Sequence, residues 1–204
     1  MYFKPFVQPR RLLQVAIFSF AIFSLRLNSF AHEVERFVNL TGTSGATGTG
    51  IITFDLDLVT MRVQLEFNGL SSNTLTSHIH AATASPLSGT ASIATVDFFA
   101  GLNGAGLTAG SFDHTFDLTT ADSYNSAFIT NSGGLVSDAL NKLIFAAEDE
   151  KSYLSIKTVA FPTGDGEIRG FLTAVPEPSS FALFCIVAMG VAASRLVVRA
   201  DITV

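Results

Sequence analysis

Hydrophobic and polar residues alternate along most of the chain between residues 34 and 172. The clearest case is residues 52–67, where two sets of apolar residues at every second position flank a short turn. These sets are Ile52, Phe54, Leu56 and Leu58, followed by Met61, Val63, Leu65 and Phe67. Because successive side chains of a strand point to opposite faces, the pattern predicts a β-hairpin with one face in the core and one in solvent.

Further segments predict more strands, to give about eight in all. They are residues 34–41, 75–81, 91–98, 111–118, 153–158 and 167–172. The glycine-rich residues 42–48 predict a loop. One segment has helical spacing instead, with apolar residues at Leu135, Ala139, Leu140, Leu143, Ile144 and Ala147. We therefore expect an all-β fold, a Greek-key β-sandwich or partly closed barrel of about eight antiparallel strands with one short helix.

The first 31 residues have the three parts of a secretory signal peptide. Basic residues precede an apolar stretch at 12–25, and Ser29-Phe30-Ala31 supplies the small residues of a cleavage site. Cleavage after Ala31 would make His32 the first mature residue. The alternative is an uncleaved membrane anchor, for which this stretch is shorter than the ~20 apolar residues that a spanning helix needs.

The C-terminal end combines a proline motif, an apolar run and basic residues. Because Val175-Pro176-Glu177-Pro178 cannot continue a strand ladder, the folded domain is expected to end by about Ala174. Residues 181–198 would form a helix of roughly 27 Å, long enough to cross a hydrocarbon core. The predicted organisation is therefore a signal peptide at 1–31, a β domain at 32–174 and a tail with a transmembrane helix at 175–204.

This tail resembles the PEP-CTERM sorting signal of Gram-negative bacteria, which an exosortase recognises. It departs from that pattern where Arg195 interrupts the helix and where residues 200–204 follow Arg199. The alternative is an ordinary C-terminal membrane anchor. In both cases basic residues flank the two apolar ends on the side that stays cytoplasmic, so the domain between them is expected to be exported.

Charge and cysteine content exclude one class of partner and one source of stability for the predicted domain. Residues 32–174 carry fifteen acidic and six basic side chains, a net charge of −9, without any basic cluster. Nucleic acid is therefore not an expected partner, since phosphate backbones are bound by clustered Lys and Arg. The only cysteine, Cys185, lies in the tail, so the domain can form no internal disulfide and must be stable through its core.

Two motifs stand out within the domain, Ser77-His78-Ile79-His80-Ala81 and Gly164-Asp165-Gly166-Glu167-Ile168-Arg169-Gly170. Together they resemble the CHRD domain, named after chordin and found in many bacterial secreted proteins. The resemblance runs from about residue 34 to residue 172, and Gly166 to Gly170 is its most specific part, expected to be structural. The family's aromatic strand usually alternates Asn and His, where this chain has Ser155 and Lys157, and a common Gln is Phe171 here.

His78 and His80 are the candidate metal ligands. Residues two apart on a strand share a face, so the two imidazoles would lie ~7 Å apart on one side of the sheet. A single metal ion there needs a third ligand, such as His114 or an aspartate. The alternative is that both histidines only bond neighbouring strands and loops. A copper-zinc dismutase, which also has a His-x-His strand, is excluded because the chain has only four histidines.

Two further predictions concern His114 and the pair of Glu167 and Arg169. His114 lies between Phe112 and Phe116, so we expect a partly buried histidine and not a ligand. Glu167 and Arg169 share a strand face, so we expect a half-buried ion pair that fixes the register of the last strand. No Ser-His-Asp spacing, phosphate-binding glycine loop or metalloprotease helix occurs in the sequence.

The sequence thus predicts an exported, non-enzymatic protein, held at the membrane or processed by exosortase, with a binding or structural role in the cell envelope or extracellular matrix. The PEP-CTERM resemblance implies a link with exopolysaccharide. The expected partners are exosortase and the membrane, with extracellular polysaccharide or another envelope protein as candidates. No cofactor is expected. The alternative is a periplasmic protein that binds copper or zinc through His78 and His80, with redox activity.

Overall fold

The computed structural model describes residues 32–175. The predicted signal peptide and the predicted transmembrane helix both lie outside the described residues. Within residues 32–175, no helix has the length and apolar character needed to cross a membrane.

Seven antiparallel strands form one sheet. The strands are β1 (Glu33–Thr41), β2 (Thr47–Asp55), β3 (Thr60–Asn68), β4 (Thr74–Ala81), β5 (Gly110–Asp117), β6 (Ser152–Thr158) and β7 (Ile168–Ala174). Their order across the sheet is β4-β6-β7-β1-β2-β3-β5. Between β5 and β6 lie a short 3-10 turn at Ala121–Ser123, helix α1 (Ser126–Asn131) and helix α2 (Val136–Glu148). The predicted all-β class with a short helix is confirmed.

The eighth predicted strand, residues 91–98, is not a regular strand. This segment runs along the free edge of β4, where Phe98 N–H donates to Ser77 O (2.9 Å) and Ala94 N–H to Ile79 O (2.9 Å). Two N–H groups of β4 bond side chains of this segment instead of its backbone. Ser77 N–H donates to Asp97 Oδ1 (2.9 Å), and Ile79 N–H donates to Thr95 Oγ1 (3.0 Å). The alternation of the sequence is therefore real, but it belongs to an irregular extended segment that covers a sheet edge.

The loop before β5 brings the two edge strands of the sheet close together. Thr74 at the start of β4 donates its N–H to Leu107 O (2.8 Å) and accepts from Gly106 N–H (3.0 Å). Its hydroxyl also donates to Gly104 O (2.6 Å). The sheet is thus partly closed through hydrogen bonds to a loop instead of a direct β4-β5 ladder.

The predicted hairpin is formed by β2 and β3, but its turn begins earlier than expected. Asp55 Oδ1 accepts hydrogen bonds from Asp57 N–H (2.9 Å) and Leu58 N–H (2.8 Å), which ends β2 at Asp55. Leu56 and Leu58, predicted to face the core, are 38% and 71% exposed in this turn. At the other end of β2, residues 47 and 48 belong to the strand and not to the predicted glycine-rich loop.

The core lies on one face of the sheet and is closed by α2. Its fully buried strand residues include Leu40, Ile52, Phe54, Met61, Val63, Ile79, Leu154, Ile156 and Leu172. The predicted helix is confirmed, and it buries Ala139, Leu143, Ala146 and Ala147 against this core. Helix α1 was not predicted, and Asn125 caps it by accepting from Ala127 N–H (3.0 Å).

Strand β7 lies between β6 and β1, and Gly170 allows β1 to approach it. A Cβ atom at Gly170 would overlap the backbone carbonyl of Asn39 in β1. Because neither backbone can move without breaking a ladder, we expect Gly170→Ala to lower the free energy of unfolding by about 3 kcal/mol or more.

Urea unfolding measures this effect. The control is Gly164→Ala, where no atom lies within 4 Å of the added Cβ and only the left-handed backbone (φ 62°) opposes the change. That variant should lose roughly 1 kcal/mol. Equal losses in the two variants would show that the β1-β7 approach is not the constraint.

Candidate functional site: the outer face of β4, β6 and β7

His78 and His80 lie together on the outer face of β4, as their spacing predicts, while Ile79 between them is fully buried in the core. Their rings are 6.4 Å apart between centroids and nearly perpendicular. In the neighbouring strand β6, Ser155 is paired with His78 and Tyr153 with His80. In β7, Arg169 and Phe171 continue these two rows. We call these six residues the histidine face.

Both ring nitrogens of His80 are engaged. Nδ1 lies 2.9 Å from the carbonyl oxygen of Ala91, which can only accept, so Nδ1 carries the proton and donates. Nε2 is then the acceptor for the hydroxyl of Ser155 at 3.1 Å. The ring also stacks on Tyr153, with centroids 4.7 Å apart and planes 9° from parallel. His80, only 4% exposed, is therefore a hydrogen-bonded part of the structure, with no lone pair free for a metal.

His78 differs from its neighbour, because its buried Nδ1 has no hydrogen-bond partner among the described residues. Burial is the main cause that lowers the pKa of His78, to about 4, and the charges of His80 and Lys157 lower it further while Asp97 opposes the shift. His78 is consequently neutral at neutral pH. Of the two predicted ligands, it is the one with an unused nitrogen.

Tyr153 and Arg169 form the second layer of the histidine face. The guanidinium carbon of Arg169 lies 4.6 Å from the centre of the Tyr153 ring, so that ring lies between the guanidinium and the imidazole of His80. The Tyr153 hydroxyl donates to Asp165 Oδ1 (2.9 Å), and burial raises the pKa of Tyr153 to about 12. Arg169 also bonds Asp165 Oδ2 (2.5 Å) and Gly89 O (3.0 Å).

The predicted ion pair between Glu167 and Arg169 is wrong. Arg169 pairs with Asp165, while Glu167, just before β7 begins at Ile168, is directed to a different set of partners. Its carboxylate accepts from Ser71 N–H (2.7 Å) and from the hydroxyl of Thr158 (2.8 Å). The turn at Gly166 (φ 77°) separates the two acidic residues of the motif and sends them to opposite sides.

Glu167 is a buried, charged junction between loops. It is 4% exposed, and its partners come from the loop after β3 and from the end of β6. Burial raises the pKa of Glu167, but the hydrogen bonds from Ser71, Thr158 and Ser44 together hold it below its ordinary value. The carboxylate is thus ionised at neutral pH and ties three separate segments to the start of β7.

The glycines around Glu167 are required by close backbone contacts. A Cβ at Gly166 would overlap the carbonyl of Ile156, and a Cβ at Gly42 would overlap the carbonyl of Glu167 itself. Together with Gly170, these positions explain the spacing of the Gly-Glu-Ile-Arg-Gly motif as packing around β7. The motif does not assemble reactive groups.

The chemistry open to the histidine face is limited by burial. Ser155 and His80 resemble a nucleophile and its base in distance, but Ser155 is 0% exposed and no substrate can reach its hydroxyl. Across residues 32–175, no group of three or more His, Cys, Asp or Glu side chains is placed to hold a metal ion. His114, which was named with an aspartate as a possible third ligand, is half-buried on β5 between Phe112 and Phe116, with its ring 4.7 Å from that of Phe116.

Several residues of this site have no individual signal in the sequence. Asp165 belongs to the motif at residues 164–170, yet its pairing with Arg169 depends on the turn at Gly166. Ser155 differs from the family pattern and Tyr153 belongs to the predicted aromatic strand, but only the pairing of β6 with β4 places both beside the histidines. Ser71, which contributes only its backbone N–H to Glu167, could not have been identified from the sequence.

Comparison with family models supports the predicted β domain and the predicted sorting tail. The family model of the CHRD domain matches residues 31–172, and that of the PEP-CTERM protein-sorting motif matches residues 174–196. No curated protein and no solved structure matches the chain.

Glu167→Gln tests the charged junction. An amide can accept at one oxygen only and places an N–H₂ group against one of the two donors, so we expect a loss of about 1–3 kcal/mol at pH 7. Since the folded pKa lies below the ordinary value of 4.5, the stabilisation from Glu167 is complete above pH 4.5 and is lost as the pH falls through the lowered value.

Thermal unfolding from pH 7 to pH 3 measures both effects. The difference between wild type and Glu167→Gln should shrink as the pH falls, whereas the exposed Glu66→Gln should follow wild type throughout. A constant difference at every pH would show that the charge of Glu167 contributes nothing.

Copper titration tests the predicted metal site. Because His80 has no free nitrogen and residues 32–175 offer no group of three His, Cys, Asp or Glu placed for a metal, we expect no tight binding of one ion per chain. Metal-stripped full-length chain and the His78→Ala/His80→Ala variant are titrated with copper and zinc by calorimetry. Weak copper binding is uninformative for any nitrogen site. One tightly bound ion, lost in the variant while its fold persists, would establish the metal-binding alternative.

Proposed function

Because the chain belongs to the CHRD domain family and carries a PEP-CTERM protein-sorting motif, we propose that it is a non-catalytic binding or structural protein of the cell envelope or extracellular matrix. The sorting motif makes it an exosortase target, exported and processed or anchored at the membrane. The CHRD domain and the sorting motif are not in themselves catalytic. What remains proposed is the role of the exported domain.

The observation that carries the proposal is the junction of the two matched regions. The CHRD match ends at Leu172, the sorting motif begins at Ala174, and Ala174 is also the last residue of β7. The domain is therefore joined to its sorting signal without a spacer. Such a junction suits a domain that works at the membrane surface, or is released as a compact unit, more than one that must reach a distant partner.

The surface and the buried residues of the domain support a binding role over catalysis. The polar groups of highest chemical interest, Ser155 and His80, bond each other below the surface. The net charge of −9 over residues 32–174 keeps an exported domain soluble and disfavours anionic partners. Extracellular polysaccharide and another envelope protein are the partners that we consider.

A metal-binding function is the second candidate. It is favoured by a single observation, the buried and unpartnered Nδ1 of His78. The copper titration described above decides between the two candidates, since only a periplasmic copper or zinc protein would bind one ion tightly per chain.

Processing of a C-terminal tag tests the sorting prediction. The full chain with this tag is expressed in one host that has an exosortase and in another that lacks it. We expect immunoblots to show loss of the tag only in the first host, and retention there when Pro176→Ala and Pro178→Ala are combined. Pro162→Ala, outside the motif, is the matched control and should be processed like wild type. Tag retention by wild type in both hosts would show that the tail is only a membrane anchor.

A further inference from the structure

Two adjoining clefts are lined in part by residues of α2. One, of about 680 Å³, is lined by residues that include His80, Asn125, Phe128 and Asn131. The other, of about 430 Å³, is lined by Asn141 and Phe145 among others. Ala82 and Lys142 belong to both linings, so we treat the two as one groove and call it the α2 groove.

We propose that the α2 groove binds a neutral saccharide chain. This inference rests on the proposed function and gives the exported domain a ligand class and a site. Four features of the groove support a saccharide ligand: an exposed aromatic ring, unused amide groups, balanced charge and suitable size.

Phe145 supplies the aromatic surface. Its side chain is 63% exposed, on a helix that buries Ala139 and Leu143 completely in the core. Asn141, one turn earlier, lies on the same side of the helix and lines the same cleft. An exposed phenylalanine beside an amide matches the two surfaces of a sugar ring, whose C–H face is apolar and whose rim is hydroxylated.

Three asparagines line the groove with unused hydrogen-bonding groups. Within the described residues, the side-chain amides of Asn131 and Asn141 have no hydrogen-bond partner, and Asn125 uses only its oxygen, to cap α1. Each amide offers both donors and acceptors, as a sugar hydroxyl does. Such a set is suited to a ligand that is polar but uncharged.

The charges of the groove balance. Lys142 and Lys151 are matched by Asp138 and Asp149, and Lys151 Nζ lies 3.1 Å from Asp149 Oδ2. Lys142 contacts residues that line the groove, with its ammonium 5.3 Å from the centre of the Phe128 ring and 3.4 Å from Asn131 O. In a domain of net charge −9, this groove has no excess of cations to attract an acidic polymer, which favours a neutral one.

The groove is large enough for a chain of sugar units and not only for a single sugar. Each cleft is within the roughly 300–1,000 Å³ typical of small-molecule sites, and the two adjoin at Lys142. Adjacent sugar units can therefore occupy the two clefts, with Phe145 under one unit and Asn125 and Asn131 beside the next. Binding of this kind would hold the domain to a polysaccharide without any chemical step.

A glycan array carrying neutral and acidic oligosaccharides tests the proposal with purified full-length chain. We expect binding to neutral glycans, and a loss of about tenfold in apparent affinity for Phe145→Ala, as for an aromatic residue at the centre of a binding site. Asn141→Ala should weaken binding in the same direction. The matched control is Phe161→Ala, which removes another exposed ring (37%) that does not line the groove.

Binding to no neutral glycan, binding to acidic glycans alone, or equal losses in Phe145→Ala and Phe161→Ala would each overturn the proposal. Unchanged melting temperatures of the variants establish that a loss of affinity is not a loss of fold. The tag-processing experiment gives an independent result. If the tag is processed and no neutral glycan binds, the exported protein retains its proposed place in the envelope and only the saccharide site is rejected.

Discussion

The close packing of β7 between β1 and β6 is the constraint on which the rest of the structure depends. Gly170 lets β7 approach β1, and Gly166 lets the preceding turn approach β6. With these contacts in place, the carboxylate of Glu167 reaches Ser71 and Thr158. Since these partners lie far apart in sequence, one short motif fixes the positions of segments from both halves of the domain.

The same placement of β7 organises the outer face of the sheet. Arg169 is held in register with Ser155, and its guanidinium covers the ring of Tyr153, which in turn covers His80. Stacking and hydrogen bonds therefore account for most of the polar groups in this part of the protein. Ser155 and His80, which look reactive in the sequence, are buried and bonded to each other, while the exposed Phe145 lies on α2.

Local sequence patterns predict where the strands and helices lie better than they predict which segments contact each other. Met61 to Phe67 alternate because one face of β3 is buried, and this needs no knowledge of the rest of the chain. Leu58 follows the same alternation, yet it is exposed. The side chain of Asp55 accepts hydrogen bonds from two backbone N–H groups and so ends the strand before Leu58.

Pairing between distant residues could not be predicted from spacing. The rule that residues two apart share a face gave His78 and His80 correctly within β4, but it failed for Glu167 and Arg169 because the strand begins between them. The two partners of His80 come from Ala91 and Ser155, and only the folded chain brings these segments together.

The pairing of Arg36 with Ala174 has a mechanical consequence. The chain enters β1 and leaves β7 at the same end of the sheet, and β7 is bonded on both sides by antiparallel neighbours. A pull on the tail, as when the protein is held by its C-terminus in flowing medium, would act along β7 and load both ladders in shear. Many hydrogen bonds would then have to break together, so the fold resists tension applied at the C-terminal end of β7.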